Sequence, residues 1–130
     1  MSMFGAMDAA SSGVSLGQQW MDTISDNVAN INTVRPAGQE PYRAQQVIAR
    51  SRPGTGGVET AGMAQEGGQP TVVYDPENPL ADGKGYVTRP VVDLGTEMTN
   101  MIVAQRLYQA NLSVMTSAKE AYQAALGIGK

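Results

Sequence analysis

Residues 94–126 read LGTEMTNMIVAQRLYQANLSVMTSAKEAYQAAL, and the spacing of their apolar side chains decides the fold. Leu94, Met98, Met101, Tyr108, Leu112, Met115, Tyr122 and Leu126 keep a strict four-three alternation, with Gln105 and Lys119 in its two remaining places. A repeat of 3.5 residues holds one stripe of a helix against a partner along its whole length. Roughly 33 residues rising about 1.5 Å each make a rod about 50 Å long, which needs a partner of similar length. The other end of the chain supplies one. Met3, Met7, Ala10, Val14, Gly17, Met21, Ile24, Val28 and Ile31 keep the same alternation without a break. The expected architecture is mainly α, with long N- and C-terminal helices paired as a coiled-coil-like hairpin and a small irregular and β middle region. Its boundaries are 1–33 for the first helix, 34–92 for the loop-rich middle and 93–130 for the second helix.

Working inward, the first helix is weak by itself, because Gly5, Gly13 and Gly17 each cost about 1 kcal/mol relative to Ala in a helix interior. Near its end stand Asp26, Asn27, Asn30 and Asn32. Such residues bond locally to the backbone and loosen helices, so the cluster reads either as a fraying terminus or as polar contacts to another subunit. The run VRPAGQEPY, with two prolines and a glycine, stops the helix. Arg43 to Arg50 can form a short strand centred on Val47 and Ile48. The Gly- and Pro-rich stretch 51–70, SRPGTGGVETAGMAQEGGQP, predicts a flexible surface loop. Its GTGG lacks the Lys-Ser/Thr of a phosphate loop. Thr71 to Tyr74 and Tyr86 to Val92 are further strands, the latter confined to an edge or end by Pro90. Between them DPENPLADGKG is a solvated turn: Asp75, Glu77 and Asp82 bring carboxylates, but Pro76 and Pro79 break the ligand spacing of a calcium loop. Asp93 is placed to cap the second helix, with Glu97 in its first turn, and Gly127 and Gly129 to end it.

Composition removes most chemistries. There is no histidine and no cysteine, so disulfides, thiol chemistry and Cys/His metal sites are excluded. No nucleophile and base converge in the pattern, so neither an enzyme nor a bound cofactor or metal is expected. The net charge of −3 comes from Asp8, Asp22 and Asp26, and no basic stripe points to nucleic acid. The N-terminus lacks the basic and apolar regions of a Sec-type signal peptide, and no segment is apolar for long enough to insert in a membrane. Charged residues are 16% of the chain against about 25% in ordinary soluble domains. Both long helices share that deficit, and the second shows what fills its place. Glu97, Arg106, Lys119 and Glu120 are its charges, while Ala110, Ser113, Ser117, Ala121 and Ala124 leave its outer face small and neutral. A two-helix hairpin in water normally carries charge there, so close packing against further helices is expected.

The stretch ISDNVANINT at 24–33, followed by VRPAGQEPYRAQQVIA, resembles the N-terminal signature of bacterial flagellar rod and hook proteins. VYDPENPLADGKGYVTRPVVDLGTEM at 73–98 and NMIVAQRLYQANLSVMTSAKEAY at 100–122 extend the resemblance to both termini and the second half of the middle region. It implies a non-enzymatic subunit of the proximal rod, the drive shaft joining motor to hook. Implied partners are other rod proteins, copies of the same chain and the flagellar type III export apparatus, with assembly in the periplasm. A soluble coiled-coil adaptor or a sibling rod or hook subunit is the alternative reading. The expected helix-packing seam is Met21, Ile24, Val28, Ile31, Met98, Met101, Tyr108, Leu112, Met115 and Tyr122. Asn27, Asn30, Asn32, Gln105 and Ala121 are the expected intersubunit residues.

Overall fold

The structure, a computed structural model, describes residues 3–54 and 56–128. The expected helix start at Met1 and stop at Gly129 lie outside the described residues, and of Met3 only the backbone is described. In chain order the elements are α1 (Met3–Ala29), β1 (Arg35–Pro36), β2 (Gln45–Ser51), β3 (Val58–Gln65), β4 (Thr71–Tyr74), β5 (Tyr86–Arg89) and α2 (Leu94–Ile128). The chain is mainly α, with a small antiparallel β region between its two long helices.

Local chemistry sets the starts and stops. Asp93 caps α2 through its Oδ1, which accepts the Thr96 N–H at 2.6 Å, and this bond holds the Asp93 carboxyl below its usual range. The helix runs through Gly127 to Ile128. At the far end of α1, Asn30 N–H is shared between the carbonyls of Asp26 and Asn27, and the chain turns toward Pro36.

α1 and α2 run antiparallel. A Cβ added at Gly13 would meet the Asn111 side chain at 2.6 Å, one at Gly17 would meet Tyr108 Cβ at 3.2 Å, and Asn27 bonds to Glu97. At the open end of the pair the Phe4 and Tyr122 rings meet edge to face, with centroids 5.6 Å apart.

The stretch 51–70 is where the structure departs most from the sequence reading. Instead of a loop throughout, it contains β3, which pairs with β2 from Gln45↔Gln65 to Ser51↔Val58. The register shifts between Ile48 and Ala49, opposite Gly62, so the glycine marks a bulge and not a break. This hairpin lies back along α1. Asn27 bonds to Gln45 at its base, Thr23 meets Met63 and Gln19 bonds to Thr60 further along, and Arg52 reaches Asp8 at 3.2 Å near its tip. The Ser12 hydroxyl accepts the Val58 N–H at 3.0 Å and donates to the Ala9 carbonyl at 2.6 Å. Gly57, with φ +89°, lets the tip come this close, because a Cβ there would sit 3.1 Å from the Ala9 Cα and collide with Ser12. Three layers result: hairpin, α1, α2, with α1 in the middle.

The second sheet has the order β1-β5-β4 and is antiparallel throughout. Val87 at its centre is fully buried. The β4–β5 turn is closed by Asp82, whose Oδ1 accepts the N–H groups of Lys84 and Tyr86 at 2.8 and 2.9 Å. Those bonds hold its carboxyl below the usual range.

Candidate functional site

The helix-pair interface uses small and polar residues as much as large apolar ones. Ala10, Gly13, Gly17, Ile24 and Asn27 are the buried positions that α1 turns toward α2, and the alternation 10, 13, 17, 24, 27 is heptad-like. On α2 Glu97, Met101, Ala104, Tyr108, Asn111, Met115 and Ala118 are buried or half-buried at four-three spacing, and Asn100 beside them is half-buried as well. Every second member of that series is one position earlier than the sequence alternation placed it. Met101, Tyr108 and Met115 face α1 half-buried, whereas Met98 and Leu112 are 59% and 39% exposed, and Tyr122 sits at the margin against Phe4. Ile24 is buried, while Met21, Val28 and Ile31 are half-buried beside the interface. One helical position is a turn of about 100°, so small residues at Gly13, Gly17, Ala104 and Ala118 let the backbones close on a line to one side of the apolar stripe. Gln105, Lys119 and Ala121 are exposed.

A polar knot lies at the end of the pair nearest the sheets. Asn27 is 1% exposed and makes four hydrogen bonds. Its Nδ2 donates to the Gln45 carbonyl at 2.9 Å and to Glu97 Oε1 at 3.2 Å, while its Oδ1 accepts the Tyr42 hydroxyl at 2.8 Å and the Gln45 N–H at 2.9 Å. One side chain thus ties α1 to β2, to the preceding loop and to α2. All the hydrogen-bonding atoms of this side chain are engaged inside the chain, at a position that the sequence reading made an intersubunit candidate. Asn30 bonds to the Asp26 carbonyl and to Thr33, and Asn32 is exposed. Glu97 is 4% exposed, and its Oε2 has no hydrogen-bond partner among the described residues. Burial pushes its carboxyl up, the Asn27 bond opposes that, and Glu66 and Asp93 add to it. The Tyr42 phenol is likewise raised, first by burial and then by Asp26 and Glu97.

The outer flanks of α2 remain uncovered. Leu94, Met98 and Leu112 are exposed on one side. On the other, Val103, Leu107, Ala110, Val114, Ser117, Ala121 and Ala124 form a second complete four-three alternation, every member exposed. The same spacing rule, started at Val103 instead of Leu94, finds it in the sequence. The whole chain exposes 8454 Å², against roughly 6,600 Å² for a compact protein of its 13.7 kDa. Such a surface suits association. Among the described residues, no group of three acidic side chains is placed to hold a metal, and no helix is long and apolar enough to cross a membrane.

Residues 7–36 match the family model described as flagella basal body rod protein, and residues 84–128 match the flagellar basal body rod FlgEFG protein C-terminal model. The chain is 39% identical over 134 residues to the flagellar basal-body rod protein FlgC of Yersinia enterocolitica, covering 100% of both chains. It is 36% identical to that of Salmonella typhimurium and 30% identical to that of Bacillus subtilis, again over 100% of each chain. The two matched segments carry α1 and α2, and residues 37–83 lie between them.

Proposed function

The chain belongs to the flagellar basal-body rod protein family, and from that membership we propose how its two long helices serve a rotating shaft. It is a structural protein of the basal-body rod. Its position is the proximal rod, where it helps carry torque from motor to hook. Its partners are other rod proteins and further copies of itself, and it reaches them through the flagellar type III export apparatus. The helices form a coiled-coil-like pair in which Met21, Ile24, Val28, Ile31, Met101, Tyr108, Met115 and Tyr122 serve the pair itself. Met98, Leu112, Gln105, Asn30, Asn32 and Ala121 serve contacts with neighbouring subunits. A shaft resists twisting when each long helix is gripped on several faces, and dispersion and apolar burial then add over many modest contacts.

The observation that carries this reading is the second, uncovered alternation on α2 from Val103 to Ala124. Ala121→Trp tests it. On an exposed position the substitution changes the stability of the isolated chain by less than about 0.5 kcal/mol, but a bulky ring there holds a neighbouring helix away and blocks rod completion. Complete basal bodies and normal swimming with Trp at position 121 would refute the assignment of this face.

A further inference from the structure

The polar knot leaves one group unaccounted for. Glu97 is almost fully buried, one of its carboxylate oxygens is bonded to Asn27, and the other is bonded to nothing among the described residues. Glu97 also stands in the wall of a groove of about 380 Å³ between the helices, whose other walls are Ile24, Ser25, Val28, Ala29, Met98 and Met101. The charged groups acting on it, Glu66 and Asp93, are both acidic, and Asp26, which acts with it on Tyr42, is acidic too. Arg43, the basic residue nearest in sequence to this region, is already paired with Glu40 at 2.9 Å. A buried carboxylate without a cation is costly, and breaking or omitting one half of a buried pair is far worse than having neither. Apolar walls that include one buried acid suit the methylene stem and charged head of a basic side chain.

We propose that this groove is a socket for an arginine or lysine side chain of the adjoining rod subunit, whose cationic head comes up beside the Glu97 side chain and offsets its charge. The inference rests on the rod reading and deepens it: apolar flanks bring helices together, and the socket selects which partner and which register fit. A neighbour shifted along the axis, or carrying a neutral residue, leaves the acid buried and alone, so wrong pairings are penalised.

Glu97→Gln discriminates. Its carbonyl still accepts the Asn27 amide, the charge is gone, and a donor stands where the incoming cation needs an acceptor. The Glu97→Gln chain is expected to melt at or above the wild-type temperature, yet to reduce completed rods and swimming cells at least tenfold in a strain lacking its own copy. Ala29→Trp, which keeps the acid but plugs the groove mouth, gives the same loss. Normal rods with Glu97→Gln overturn the proposal, because a carboxyl that is simply protonated tolerates its neutral isostere. A Glu97→Gln chain that melts well below wild type also overturns it, since Glu97 then works within the subunit. Normal rods with Ala29→Trp do so as well, since nothing then enters by the groove. Failure of the wild-type chain to restore rods removes instead the rod reading itself.

Discussion

Replacing Asn27 by Asp changes one atom type in the polar knot and almost nothing in its shape. The oxygen that accepts from Tyr42 and from the Gln45 N–H is retained. The amide nitrogen, 2.9 Å from the Gln45 carbonyl and 3.2 Å from Glu97 Oε1, becomes a second carboxylate oxygen facing two acceptors. At that separation two full charges repel by about 5 kcal/mol with an effective dielectric constant near 20. The pair avoids this by holding one proton, which at pH 7 costs a carboxyl of ordinary pKa near 4 about 4 kcal/mol. The cheaper route sets the deficit at about 4 kcal/mol, or about 15 °C in melting temperature for a chain of this size. The folded pair keeps a proton that unfolded carboxyls lose above pH 4, so the deficit is full at neutral pH. It shrinks by about 1.4 kcal/mol for each unit of acidification toward pH 4. Thermal melts of the purified Asn27→Asp chain at pH 7 and pH 5, followed by far-ultraviolet circular dichroism, measure both the size and the slope. A melting temperature within a few degrees of wild type at pH 7, or a deficit equal at the two pH values, would show that the Asn27–Glu97 contact does not organise this end of the helix pair.

Gly17→Val places branched carbons where a Cβ already stands 3.2 Å from Tyr108, and overpacking of this kind lowers stability by about 2 kcal/mol in urea unfolding despite the better helix propensity. Leu112→Asp, at a side chain 39% exposed in the single chain, shifts urea unfolding by less than about 1 kcal/mol, while on the proposed packing it abolishes motility by charging a flank meant for a neighbour. Glu97, whose carboxyl burial raises in the folded chain, costs stability from its ordinary pKa upward, and the cost grows until the pH passes the raised value, so the melting advantage of Glu97→Gln over wild type is larger at pH 7 than at pH 5.

Much of this was legible in the amino-acid order because it is local. An Asp directly before a long periodic run caps a helix, and Asp93 does so; the Thr71–Tyr74 strand is bounded by the prolines and turn residues that announce it. What was not legible depends on residues far apart in the chain. Stretch 51–70 has the composition of a loop, and β3 forms there because β2 gives it a ladder and α1 gives it a surface, neither of which a window of twenty residues contains. The interface offset has a similar origin. Apolar periodicity marks where burial is favourable, but Gly13, Gly17 and Ala104 decide how near two backbones come, and the helices settle on the line of closest approach. Asn27 and Glu97 are 70 positions apart, and only the antiparallel pairing makes them neighbours.

The three-layer order has a kinetic consequence. The β2–β3 hairpin and α2 are built from contacts between residues close in sequence, so each can begin to form as soon as its own segment is free. The middle layer cannot. α1 carries three interior glycines, and the α2 surface that holds it lies at the opposite end of the chain, with Phe4 and Tyr122 at the extreme of that separation. Closing a loop of roughly a hundred residues is slow compared with local ordering. On any route that delivers the chain from its N-terminus, the first segment out is therefore the last to settle. Until α2 arrives, the leading segment has the hairpin alone to lie against, and the finished shape is withheld until the whole chain has come through.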